Sequence, residues 1–130
     1  MTNQIEIGYD KRFLKEKRKF KRKCNSIDED FERFEKALKV DLKDNNYKIP
    51  LDTKKYSKIS GLDKNVTLPA FVAKVFYCKK MNKGSKSGFR ISFIYDPDEY
   101  FIYFVEFYLN KIMKLKTKKE LIIFLINNFF

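Results

Sequence analysis

Lys74 and Arg90 are the side chains best suited to chemistry in this chain. Both fall in segments that alternate as β-strands, and a strand holds a side chain on a fixed face and at a fixed height. The run FVAKVFYC (71–78) places Phe71, Ala73, Val75 and Tyr77 in one apolar row, and FRISFIY (89–95) places Phe89, Ile91, Phe93 and Tyr95 in another. Lys74 and Arg90 have the opposite parity. Between them run Lys79, Lys80, Lys83 and Lys86, and no acid occurs from Lys79 through Arg90. These residues predict a rigid sheet that presents fixed cations to a polyanion.

The available chemistry is narrow. The chain has no histidine, which removes Ser/His/Asp and Cys/His nucleophile systems, and Gly84 and Gly88 do not have the spacing of a P-loop. Cys24 and Cys78 have no CxxC spacing and no histidine to complete a zinc site, so no metal and no cofactor is expected; both are read as buried, reduced thiols. What remains is a reaction that needs only positive charge and proton transfer by Lys, Arg or Tyr. Cleavage of RNA by its own 2′-hydroxyl is such a reaction: the RNA supplies the nucleophile, and the protein aligns it, stabilises the phosphorane and moves protons. Arg90 has the planar donor fork for a phosphate, and Lys74 can hold a second phosphate oxygen. Lys79, Lys80, Lys83 and Lys86 would add affinity along a nucleic-acid backbone through counterion release. Tyr95, Tyr103 and Tyr108 read as sheet aromatics, and Tyr108, at the end of the last strand, is the best placed of them to stack on a base.

Composition agrees with a polyanion partner. The 130 residues carry a formal net charge of +12, and 44% are hydrophobic, including 14 Phe and 8 Tyr, enough to bury the core of one small domain. Charge alone leaves nucleic acid, an anionic membrane surface and an acidic protein as candidates. The N-terminal MTNQIEIGYDKRF lacks the pattern of a signal peptide, and the longest apolar run, Leu121 to Phe130, is interrupted by Asn127 and Asn128 and too short to span a bilayer. A cytoplasmic protein with no membrane association is expected.

The elements that must hold the cations are legible in outline. Ile5, Ile7 and Tyr9 alternate with polar residues as a short first strand. Phe13, Lys17, Phe20 and Cys24 then fall at helical spacing in a helix beginning near Asp10, with nine Lys or Arg against one Glu from Lys11 to Lys23. Ser26 and Glu29 have capping-box spacing, and Ile27, Phe31, Phe34 and Leu38 form the apolar face of a second helix ending near Val40. Its acids Asp28, Glu29, Asp30, Glu32 and Glu35 crowd its first turns. The simplest arrangement is an antiparallel helical hairpin packed on the sheet. Residues 41–66 read as an irregular connection with no evident chemistry. Three successive strands follow as an antiparallel meander within 71–108, and Thr117 and Glu120 precede the apolar positions of a short C-terminal helix. The expected fold is α/β of the α+β kind, one domain over 1–130, without internal repeats.

With a lysine in the first meander strand, KGSKSGFR opening the second, and an acid-bounded aromatic hairpin after it, the order strand, two helices, three-strand meander resembles the RelE/ParE superfamily of toxins from toxin–antitoxin pairs. The likeness is to the RelE-type mRNA interferase branch and covers about Ile5 to Tyr108. It implies a small domain with helices on one face of the sheet, a cognate acidic antitoxin as partner, and action on mRNA at the ribosome as a metal-independent endoribonuclease. By position, Lys74 matches a basic residue of the first meander strand and Arg90 the phosphate-binding arginine after the glycine. Val72 stands where some ribonuclease members have a second lysine, a role that Lys79, Lys80 or Lys86 would have to fill. Lys111 and Lys114 are the nearest matches to the family's last basic cluster, so Arg90, Lys74, Tyr108 and Lys111 form the expected catalytic set. Other readings stay open: a ParE-like gyrase inhibitor, a relic that only binds its antitoxin, and an RNA-binding protein with no toxin role.

Overall fold

Asp10 starts the first helix: its side chain accepts a hydrogen bond from the Arg12 backbone N–H at 2.8 Å, satisfying an amide that the helix itself leaves free. In this computed structural model, which describes residues 4–48, 55–59, 69–81 and 87–109, the helix (α1, Lys11–Lys19) follows a short strand (β1, Glu6–Tyr9) and runs into a 3₁₀ turn, Phe20–Arg22. Lys17, Arg18 and Lys19 in its last turn lie at the negative end of the helix dipole. A second helix (α2, Ile27–Asp44) carries Asp28, Glu29 and Asp30 in its first turn, at the positive end.

Four strands follow: β2 (Tyr56–Lys58), β3 (Ala70–Ala73), β4 (Phe89–Asp96) and β5 (Phe101–Leu109). With β1 they make a five-stranded sheet in the order β1-β5-β4-β3-β2, in which β1 runs parallel to β5 and every other pair is antiparallel. The fold is therefore mixed α+β. Both helices lie on one face of the sheet and are joined to it by a continuous aromatic core. Phe13 meets Phe31, Phe104 and Phe107 at ring-centroid distances of 5.2, 5.4 and 5.7 Å, and Phe20 meets Phe89 at 5.2 Å. Phe31 reaches Phe104 at 5.1 Å, and Phe34 reaches Phe76 at 5.9 Å. Ring pairs of this geometry add to the stabilisation from buried area.

Several expectations are corrected. Ser26 precedes α2 but makes no capping bond; its hydroxyl donates instead to Asp30 Oδ2 at 2.7 Å. α2 continues a turn beyond Val40 because Leu42 is as fully buried as Leu38. Part of the segment read as an irregular connection is strand β2, which adds an edge strand beside the three consecutive antiparallel strands β3, β4 and β5. β3 stops at Ala73. Beyond it the alternation slips by one residue: Phe76 and Cys78 are buried, while Val75 and Tyr77 are exposed. Past Ala73 the Lys74 N–H still bonds to the Lys55 carbonyl at 2.7 Å, next to the Tyr56–Ala73 pair, and the Ser87 hydroxyl donates to the Phe76 carbonyl at 3.0 Å. Cys24 and Cys78 are not free thiols. They form a disulfide across 54 residues, with Cα atoms 6.3 Å apart, tying the segment ahead of α2 to the segment after β3. The C-terminal helix expected after Thr117 lies outside the described residues.

The β4–β5 hairpin turns at Pro97–Tyr100. Asp96 Oδ1 accepts from the N–H groups of Asp98 and Glu99, and Tyr100 takes a left-handed φ of 52°. Gly88, with φ of 82°, supplies the same conformation at no steric cost just before β4. Among the described residues no helix is long and apolar enough to cross a membrane.

Candidate nucleic-acid interface

Arg90 is the second residue of β4, and the antiparallel register sets it directly opposite Tyr108 on β5. Phe89 and Ile91, on either side of it, point into the helix-covered core with no exposed surface. Alternation therefore turns Arg90 and Tyr108 to the other face. The β3–β4 register runs from Ala70 opposite Ile94 to Ala73 opposite Ile91, and Lys74 is the first residue past the end of that ladder. Two of the expected residues, Arg90 and Tyr108, distant in sequence, are thus direct partners on the sheet, and Lys74 follows the last residue of β3. Arg90 and Lys74 are half-buried. Arg90 Nη1 donates to the Phe89 carbonyl at 2.9 Å, which holds the guanidinium close to the strand. Tyr108 is buried, at 4% exposure.

The next rung on the same face pairs Ser92 with Glu106. Glu106 is 2% exposed, and Arg12 reaches it from the start of α1 at 3.4 Å. A carboxylate so withdrawn from water needs such a partner. Ser92 Oγ is buried with no hydrogen-bond partner among the described residues. Beside them the Tyr103 hydroxyl donates to Asp10 Oδ2 at 3.3 Å; burial and then the nearby Asp10 carboxylate push the Tyr103 phenol above its ordinary pKa. Gly8 sits under this patch, where a Cβ would come within 3.0 Å of both the Phe101 and Tyr103 rings. Arg12, Ser92 and Glu106 are not among the residues expected from the sequence. The available signal was a single acid inside the aromatic run FIYFVEFYL. It was obscured by a bulge: Ser92 pairs with Glu106 but Phe93 pairs with Phe104, leaving Val105 as an extra residue that breaks simple alternation.

Lys79 and Lys80 are exposed in the turn after Cys78, and their backbone is clamped. The Lys79 N–H donates to Asp30 Oδ2 at 3.1 Å and the Lys80 N–H to Ser26 Oγ at 3.3 Å. Asp30, 2% exposed, also accepts from Ser26 and pairs with Arg33, so one buried carboxylate fixes this turn to the first turn of α2 beside the disulfide. Cys24, Asp30 and Cys78 bring potential metal-ligand atoms within 4.8 Å of one another. They do not make a metal centre as they stand: both sulfurs are spent on the disulfide, and the Asp30 oxygens already accept several donors. Of the other tyrosines, Tyr95 is buried in the core with its hydroxyl donated to the Tyr47 carbonyl at 2.7 Å, so it is no base platform. Lys83, Lys86, Lys111 and Lys114 lie outside the described residues.

Comparison of the chain with models of known protein families, with curated proteins and with solved structures finds no match.

Proposed function

We propose that this chain is a RelE-like toxin of a toxin–antitoxin pair, acting in the cytoplasm as a ribosome-dependent endoribonuclease on mRNA and silenced by a cognate acidic antitoxin. The observation that carries the reading is the pairing of Arg90 with Tyr108 on the face away from the helices, with Lys74 just past the end of β3. The arrangement of a first strand, two helices on one face and consecutive antiparallel strands supports the resemblance, with β2 as an addition at the sheet edge. In the proposed mechanism the RNA 2′-hydroxyl attacks the adjacent phosphorus, Arg90 holds the charge that builds on the phosphorane, and Lys74 takes a second phosphate oxygen. Tyr108 and Lys111 complete the proposed set as groups near the leaving oxygen. Lys79, Lys80, Lys83 and Lys86 track the backbone. In a reducing cytoplasm the hydrogen bonds to Asp30 would keep the Lys79–Lys80 turn in place if the disulfide opened.

One observation favours a second reading, in which the chain binds its antitoxin and cuts nothing: a tyrosine at 4% exposure offers no ring face to a base. Induced expression in a susceptible cell, with transcript 5′ ends mapped, separates the two. New ends within messages, formed also by purified protein on ribosomes in EDTA and carrying 2′,3′-cyclic phosphates, support the ribonuclease. Growth arrest with intact messages points to a gyrase inhibitor, and no arrest at high expression points to the binding relic.

A further inference from the structure

The segment from Lys11 to Lys23, α1 with the 3₁₀ turn after it, carries nine cations, and the structure pairs only some of them. Arg12 pairs with Glu106, Lys19 with Glu16, and Lys17 and Lys21 both with Asp28 of α2. The other α2 acids do not reach across. Lys11, Lys15, Arg18 and Arg22 are all exposed and form no ion pair among the described residues. Lys11, Lys15 and Arg18 are spaced i, i+4, i+7 on α1, which sets them in one line opposite the buried Phe13, and Arg22 follows them in the 3₁₀ turn. At 1.5 Å per residue the line from Lys11 to Arg18 is about 10 Å long, and Arg22 extends the positive surface beyond it.

We infer that this line of cations on the outer side of the helical layer is a second binding surface, separate from the Arg90 face, and that it takes the phosphate backbone of double-stranded RNA. Charge complementarity selects the occupant. A duplex presents about one charge per 1.7 Å of axis, so a straight row of cations faces phosphates along its whole length. The surface offers little of the apolar centre around which a protein interface is built: the large apolar side chain that α1 shows to solvent is Leu14, itself only 39% exposed. It also lacks the aromatic platforms on which single strands stack. The choice of RNA over other duplexes rests on the ribosome-directed reading above. Since α1 covers one face of the sheet and Arg90 occupies the other, the stripe anchors the protein on RNA without entering the reaction.

The test is binding of the full chain to a labelled RNA duplex two helical turns long, followed over a salt titration. One variant combines Lys11→Gln, Lys15→Gln, Arg18→Gln and Arg22→Gln. A control removes the same charge elsewhere through Lys36→Gln, Lys39→Gln, Lys43→Gln and Lys48→Gln. Both sets are on the surface, and unchanged melting shows that they fold. The stripe variant should bind about 100-fold more weakly at low salt, and its salt slope should be shallower by about 3 to 4, close to 0.9 for each phosphate that is no longer neutralised. The control should bind only a few-fold more weakly. Equal weakening in the two variants, an unchanged slope in the stripe variant, or competition by a glutamate polymer as effective as unlabelled duplex would each overturn the inference. Transcript cleavage is scored separately: a chain that cuts nothing yet binds duplex through the stripe removes the ribonuclease reading alone, and a chain that cuts normally while the stripe variant binds like the native removes the stripe alone.

Discussion

Arg90 and Tyr108 stand directly opposite each other on β4 and β5, the longest strands of the sheet. The pairing fixes the arginine more firmly than a loop would. Its backbone is held in the ladder, its two neighbours are fully buried, and its guanidinium bonds to the Phe89 carbonyl. A cation placed in this way need not reorganise when charge develops beside it, which is the condition under which electrostatic stabilisation of a transition state is largest.

On the ribonuclease reading proposed above, Arg90→Ala should lower cleavage on programmed ribosomes by roughly 100- to 1000-fold, as loss of one preorganised donor does. Arg90→Lys should restore little, because the planar fork is lost. Ribosome affinity should change far less than cleavage. Single-turnover cleavage and a binding titration on the same preparations measure the two effects; a parallel fall in both would assign Arg90 to binding instead of chemistry.

Phe31 and Phe34 bind α2 to the sheet. Phe31 is 4% exposed and contacts the rings of Tyr9, Phe13, Phe34 and Phe104; Phe34, at 9%, reaches Phe76 and Phe104. Replacing either by Ala should cost about 3 to 5 kcal/mol, read from urea unfolding midpoints. Val40→Ala, at an exposed position of the same helix, should cost well under half as much.

What could be read in advance follows a physical division. Phe13, Phe20, Phe31, Phe34 and Leu38 were legible because helical spacing is local, and Phe89, Ile91, Phe93 and Tyr95 because β4 alternates without interruption. The end of β3 was not legible, since the slip past Ala73 that buries Phe76 in place of Val75 leaves no mark in the run FVAKVFYC. Strand β2 is three residues long and owes its conformation to the edge of β3. The Ser26–Glu29 spacing suggested a capping box, but a competing acceptor at Asp30 takes the hydroxyl. The Cys24–Cys78 bond spans 54 residues, and cysteine spacing holds no information about such a pairing. At the site, Arg90 could be found from its parity, whereas the burial of Tyr108 and the Glu106–Arg12 pair are tertiary facts.

The disulfide has a measurable weight. Closing a loop across 54 residues removes chain entropy from the unfolded state worth about 4 kcal/mol in the loop-entropy model. The hydrogen bonds of Asp30 to Ser26 and Lys79 do not involve the disulfide bond itself and should hold part of the local structure on reduction. Reduction, or Cys24→Ser combined with Cys78→Ser, should therefore lower stability by about 2 to 4 kcal/mol without abolishing folding. Denaturant melts with and without reductant provide the comparison, and identical melts would mean that the thiols are unbonded in solution.

Stability should also fall in alkali, for a reason that Tyr95 isolates. Burial, then the neighbouring Tyr100, Asp96 and Tyr47, push its phenol up to about 12, while its hydroxyl donates to the Tyr47 carbonyl just beyond α2. The folded state thus holds this proton more tightly than the unfolded chain, whose tyrosines titrate near pH 10. Below about pH 10 both states are protonated and the contribution is fully present; above it the unfolded chain ionises first, and stability declines until the folded phenol also titrates near pH 12. Tyr56, Tyr9 and Tyr103 are raised as well, so the native curve alone does not assign the effect. Tyr95→Phe does. It should be less stable than the native chain at pH 8 by about 1 to 2 kcal/mol, because the hydrogen bond to Tyr47 is removed. The gap should narrow between pH 10 and 12, where the native protein no longer keeps the advantage of a protonated Tyr95. A gap that stays constant across that range would show that Tyr95 ionises no later in the folded state than in the unfolded one.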